Sequence, residues 1–143
     1  MSSPTPQSLD KLPLGDRVRL GSEVLGTYVR VRWTIRDGDA WRAVRQLRAS
    51  VSAPAPALET DVQLVAAWRL AHIVTRVLRR LPSDSRCLFS SLTLMCMLER
   101  RGIEQTLVIA ARPKPFAAHA WVEVDGQAML PDADPGYERL MEL

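Results

Sequence analysis

Three side chains in this chain can act together as nucleophile, base and orienting acid: Cys87, His119 and Asp132. A thiolate attacks an amide carbonyl, an imidazole takes and returns the proton, and a carboxylate holds the ring in the right tautomer. Cys87 falls in the first turn of an apolar helix predicted from about Ser85 to Arg101. The unpaired N–H groups and positive dipole end there favour thiolate over thiol, and the N–H of Cys87 itself is placed to donate to an oxyanion. His119 lies in Ala117–Asp125, which alternates as a strand does: Ala118, Ala120, Val122 and Val124 on one face, His119, Trp121, Glu123 and Asp125 on the other. Asp125-Gly126 is a hairpin signal, and a returning strand is expected over 127–132. With a two-residue loop, or a four-residue loop on the same centre, Val124 faces Gln127, Val122 faces Met129 and His119 faces Asp132. Directly opposed Cβ atoms are ~4.5–5.5 Å apart, close enough for a carboxylate to hold an imidazole. A three-residue loop shifts the register by one and sets Pro131 or Ala133 opposite the ring.

Each of these residues also has a plainer reading. Cys96 fits inert packing within the same helix, and His72, between Ala71 and Ile73, fits a core or helix-surface histidine. Asp132 can be a polar turn residue after Pro131. Trp121 is either a substrate-side wall or core, and Glu123 either a solvated strand residue or the partner of a nearby arginine. Cys87, Cys96, His72 and His119 contain no close pair at ligand spacing, so no metal site and no cofactor are expected.

The elements that must position this set form an α+β order. A helix is predicted from about Asp16 to Ile35, with Val18, Leu25, Tyr28 and Val29 as its spaced apolar positions. A shorter one carries Trp41, Val44 and Leu47. Residues 50–58, rich in Pro and Ala, read as a semi-rigid connection. The strongest helical pattern runs from Thr60 to Leu81, through Leu70, Ile73, Val74, Val77, Leu78 and Leu81, and Pro82 ends it. The Cys87 helix that follows is apolar nearly all round, which predicts burial; Asp84 or Ser85 can cap its start, and Arg100, Arg101 and Gly102 suit its end. Gln105–Ala111 reads as a buried strand, the RPKP segment as a loop, and the hairpin completes a small antiparallel sheet. Residues 1–15 read as a mobile arm. Residues 16–143 read as one domain, with a helical N-terminal part over 16–58 and a catalytic core over 59–143.

A chain of 143 residues has the length of one domain. Two cysteines exclude a disulfide-stapled scaffold, and neither a signal peptide nor an apolar stretch of membrane-spanning length is visible, so a reducing cytoplasm is expected. Residues 1–86 carry 14 basic and 8 acidic side chains, residues 87–143 carry 5 and 8. The basic excess is arginine scattered over helix faces with no nucleic-acid-binding motif, so no nucleic acid and no membrane are expected as partners.

The run from Cys87-Leu88, through Arg100-Arg101-Gly102, to Phe116-Ala117-Ala118-His119-Ala120-Trp121-Val122-Glu123 and Asp132 resembles the leader peptidases of lasso-peptide biosynthesis. These are the B-type proteins of the transglutaminase-like, papain-related superfamily. The likeness covers about residues 60–135. It implies a transglutaminase-like core and a Cys87–His119–Asp132 protease that removes the leader from a ribosomally made precursor peptide. A separate ATP-dependent cyclase then closes the freed N-terminus onto an acidic side chain. The family occurs fused to a small leader-recognition domain or split from it, and a chain of this length is expected to be the split form, working with a separate leader-recognition protein. Two departures stand out. Phe89-Ser90-Ser91 replaces an Arg-Ser pair often found after the cysteine, and the acid comes thirteen residues after His119, which leaves Asp134 as a second candidate. The competing readings are an acyltransferase that passes the acyl group to an amine, and a non-catalytic binding module on the same fold.

Overall fold

A helix that is apolar all round has to be wrapped by the rest of the chain, and the Cys87 helix is. In the computed structural model, which describes residues 12–36, 40–49, 59–81, 86–129 and 136–143, four helices precede four strands. They are α1 (Leu14–Ile35), α2 (Ala40–Ala49), α3 (Thr60–Leu78), α4 (Arg86–Arg100), β1 (Thr106–Pro113), β2 (Phe116–Val124), β3 (Gln127–Ala128) and β4 (Glu138–Glu142). The class is α+β. Every residue of α4 from Ser91 to Leu98 is buried, with α1 and α3 packed against it on the helical side and β2 on the other.

The central elements follow the sequence pattern. In α3, Leu70, Ile73, Val74 and Leu78 are buried as expected, together with Ala67 and Ala71, whose small side chains let a neighbouring helix approach. The helix stops at Leu78, three residues short of the expected end. Leu81 precedes Pro82, which disfavours helical backbone there, and the chain leaves through a turn in which Leu81 N–H bonds to Leu78 C=O. The far end of α4 closes as a Schellman motif. Gly102 takes φ 68°, its N–H bonds to Glu99 C=O at 3.0 Å, and Ile103 N–H reaches Leu98 C=O at 3.1 Å. Arg101 then forks onto both carboxylate oxygens of Glu23 at 2.9 Å, and Arg100 donates to the Thr27 hydroxyl, so the end of α4 is tied to α1.

Elsewhere the structure corrects the pattern. Helix α1 starts at Leu14, inside the stretch expected to be an arm. Its buried face is Val24, Thr27, Tyr28 and Val31; of the expected positions only Tyr28 is buried, while Val18, Leu25 and Val29 point outward. Two apolar stripes compete on this helix, and the one that matches α4 wins. Half of the RPKP segment is strand: β1 continues to Pro113, leaving Lys114-Pro115 as the turn, with a cis peptide bond between them. Strand β4, not expected at all, pairs antiparallel with β1 and gives the order β3-β2-β1-β4. Residues 1–11 of the expected arm, the 50–58 connection, Pro82, and the capping candidates Asp84 and Ser85 lie outside the described residues.

Candidate active site

Cys87 is the second residue of α4 and is half-buried. The first-turn N–H groups of any α-helix lack intrahelical acceptors, so an oxyanion beside this sulfur would meet ready donors. Cys96, nine residues on, is 3% exposed. Burial pushes its thiol up to about 11, the behaviour of a packing cysteine.

One bond fixes where the head of α4 sits on the sheet. Met129 N–H donates to Val122 C=O at 2.8 Å, so the carbonyls of Val122 and, two residues back, Ala120 face the β3 side of β2. Among the described residues the pairing on that side goes no further. Ser91 Oγ donates to Ala120 C=O at 3.0 Å, within the core. Cys87 lies one turn before Ser91, about 6 Å along the helix axis, and His119 is the residue before Ala120. The element that bears the thiol and the strand that bears the imidazole are therefore held together by a side chain between them.

His119 is half-buried on β2, opposite Ala110 of β1. Its ring stacks on Trp121 at 5.8 Å between centroids and meets the edge of Tyr137 at 6.4 Å, and Arg112 lies over the Tyr137 ring in turn. These contacts put His119, Trp121 and Glu123 on one face, as the alternation predicted. That face is not polar at its centre: Trp121 is 4% exposed. Its indole N–H donates to Glu123, and Arg139 of β4 covers the ring while pairing with Glu123 at 2.8 Å. Trp121 is thus core, and Glu123 is the partner of an arginine.

The hairpin has the expected two-residue loop. Asp125 and Gly126 take φ 51° and 74°, the left-handed pair a type I′ turn requires, and Val124 pairs with Gln127 and Glu123 with Ala128. The returning strand is shorter than expected: β3 ends at Ala128. Asp132 and Asp134 lie outside the described residues. His72 is exposed on α3, on the solvent side. Sequence reasoning missed Ser91 and Tyr137. Ser91 carried a usable signal, since a hydroxyl inside an apolar helix costs free energy unless it finds a partner; Tyr137 carried none, because it reaches His119 only through β4.

No cluster of His, Cys, Asp and Glu among the described residues could hold a metal ion, and none of the described helices is long and apolar enough to cross a membrane. A groove of about 700 Å³ between α1 and α3 reaches Arg101, at the end of α4 opposite Cys87 and ~21 Å from it along the axis. A concavity of about 550 Å³, lined in part by Phe89, opens beside the first turn of α4.

Comparison with known proteins adds two likenesses. The family model described as "Transglutaminase-like superfamily" matches residues 25–143. The Microcin J25-processing protein McjB of Escherichia coli is 47% identical over 45 residues, which is 32% of this chain and 22% of that protein. The chain thus matches about a fifth of that relative's length. No solved structure matches.

Proposed function

The chain belongs to the transglutaminase-like superfamily, and from that premise we propose that it is a cysteine peptidase that removes the leader segment from a ribosomally made lasso-type precursor. Cys87 is the nucleophile. His119 takes its proton, and the thiolate attacks the carbonyl carbon of the scissile amide. The oxyanion accepts the N–H of Cys87 at the positive end of α4. His119 then gives the proton to the leaving amine, and water hydrolyses the thioester with His119 as base. Asp132 holds the imidazole in the productive tautomer. The reaction belongs in the cytoplasm, where Cys87 stays a thiol.

The observation that supports this reading best is the Ser91–Ala120 bond. It ties α4, one turn after its half-buried cysteine, to the residue that follows His119 on β2. The printed name of McjB, a processing protein for a microcin, supports peptide maturation as the setting. A separate leader-recognition protein presents the precursor, and an ATP-dependent cyclase takes the product.

The test is cleavage of precursor in the presence of the leader-recognition protein by wild type and by Cys87→Ala, His119→Ala and Asp132→Ala. Cys87→Ala should abolish cutting. Undiminished cutting by that variant sinks the proposal. The family description also covers acyl transfer, and mass spectrometry separates the two outcomes: a hydrolysed peptide in one case, an amine adduct in the other.

A further inference from the structure

Helix α1 leaves an apolar stripe in water. Leu14, Val18, Leu25, Val29 and Trp33 lie along one side of it, and Trp33, the largest, is 65% exposed. At its C-terminal end the stripe runs into the 550 Å³ concavity, lined by Arg32, Trp33, Ile35, Arg36 and Phe89. Phe89 shares the first turn of α4 with Cys87 but projects from another side of the helix, the side that meets Tyr28 of α1, so the concavity lies around the helix head from the sulfur.

The lining is built. Tyr28 meets Phe89 edge to face at 5.8 Å and fixes the wall. Arg32 donates to the Tyr28 hydroxyl at 3.1 Å, and Arg36 lies over the Trp33 ring at 5.4 Å. Both guanidinium groups are therefore placed by aromatic neighbours, and among the described residues neither has a carboxylate partner. Among the described residues no acid lines the concavity. The carbonyl end of a helix attracts cations and accounts for the two arginines. It does not account for an indole left in water beside them. Trp and Arg are the side chains most enriched at binding hot spots, and a guanidinium binds a carboxylate through two parallel N–H donors.

We propose that this concavity is a substrate subsite. It takes a segment of the peptide, away from the scissile amide, in which an aspartate or glutamate adjoins a bulky apolar side chain. The apolar group packs between Trp33 and Phe89, and the carboxylate pairs with Arg32 and Arg36. The proposal rests on the peptidase reading for the word substrate, but the subsite can be read without any bond being cut.

The experiment uses the full chain with Cys87→Ala and a fluorescein-labelled peptide in which Asp and Glu flank Phe and Leu. Its uncharged twin replaces each acid by the amide. The acidic peptide should bind at least tenfold tighter at low salt. Arg32→Gln with Arg36→Gln should remove that preference. Arg19→Gln with Arg69→Gln, an equal loss of charge with Arg19 ~20 Å back along α1, should preserve it. Arg36→Gln alone should remove part of it; the Arg36 side chain lies over the exposed ring of Trp33 and leaves the Arg32–Tyr28 contact intact, so a folding defect from that contact does not confuse the result. Equal affinity for the two peptides, or equal loss from the two arginine pairs, overturns the subsite. Cutting of the uncharged twin as fast as the acidic peptide by wild type removes the subsite and keeps the peptidase; preferred binding without cutting does the reverse.

Discussion

Ser91 and Ala120 stand twenty-nine residues apart in the chain and share a buried hydrogen bond of 3.0 Å. Losing it takes a donor from a buried carbonyl. Ser91→Ala should cost about 1–3 kcal/mol, read from urea denaturation. Peptide cleavage should fall several-fold at a temperature where the variant is still folded, because α4 is free to shift on β2. A variant as active and as stable as wild type would mean that the bond positions nothing.

Thr93, two residues further along α4, is the contrasting case. It is fully buried, and among the described residues its hydroxyl has no hydrogen-bond partner. A buried hydroxyl without a partner costs about 1–3 kcal/mol, and valine has nearly the same shape. Thr93→Val should therefore leave the melting temperature unchanged or raise it, in contrast to Ser91→Ala. Differential scanning fluorimetry on both variants makes the comparison directly.

The two thiols should part cleanly in reactivity. Cys87 is half-buried in a first helical turn, whereas Cys96 is buried with its thiol raised to about 11. Iodoacetamide at pH 7 should label Cys87 first, and Cys96 only when the chain unfolds. Peptide mapping after partial labelling reads this, and equal rates in the native protein would contradict it.

Glu23 supplies a pH-dependent link between α1 and α4. The forked hydrogen bond from Arg101 holds its carboxyl below the ordinary value, against the opposing effect of burial. A folded value below the unfolded one means that the contribution is complete above the unfolded value, ~4.3. It is lost as pH falls through the folded value. The pair is partly exposed, which limits its worth to about 1 kcal/mol. Glu23→Gln should be destabilised by that amount at pH 7, and its deficit should shrink as the pH falls below ~4.3, as denaturation over a pH series would show.

How much of this was legible beforehand depended on whether one element settled its own surroundings. Helix α4 was readable because an unbroken apolar run has only one home, and Gly102 marks its end without help from the rest of the fold. The Asp125-Gly126 turn was readable because left-handed backbone at two successive positions admits few residues. Helix α1 was not: Val18, Leu25 and Val29 make as good a stripe as Val24, Tyr28 and Val31, and only α4 decides between them. Strand β4 was hidden because Glu138, Leu140 and Glu142 show no clean alternation; it is an edge, held by β1 and by two 2.8 Å bonds between Leu107 and Leu143. The site was half legible for the same reason. Cys87 and His119 announce themselves by local position, whereas the serine that joins their elements shows its purpose only across twenty-nine residues.

Strand β4 has a consequence for crowding. An edge strand offers its free N–H and C=O groups to any extended chain, including another copy of itself. Two such strands laid antiparallel and centred on Leu140 would set Glu138 of each directly against Glu142 of the other. Like charges so opposed repel. This border of the sheet thus discourages in-register stacking of identical molecules and the fibre-like growth that would follow from it.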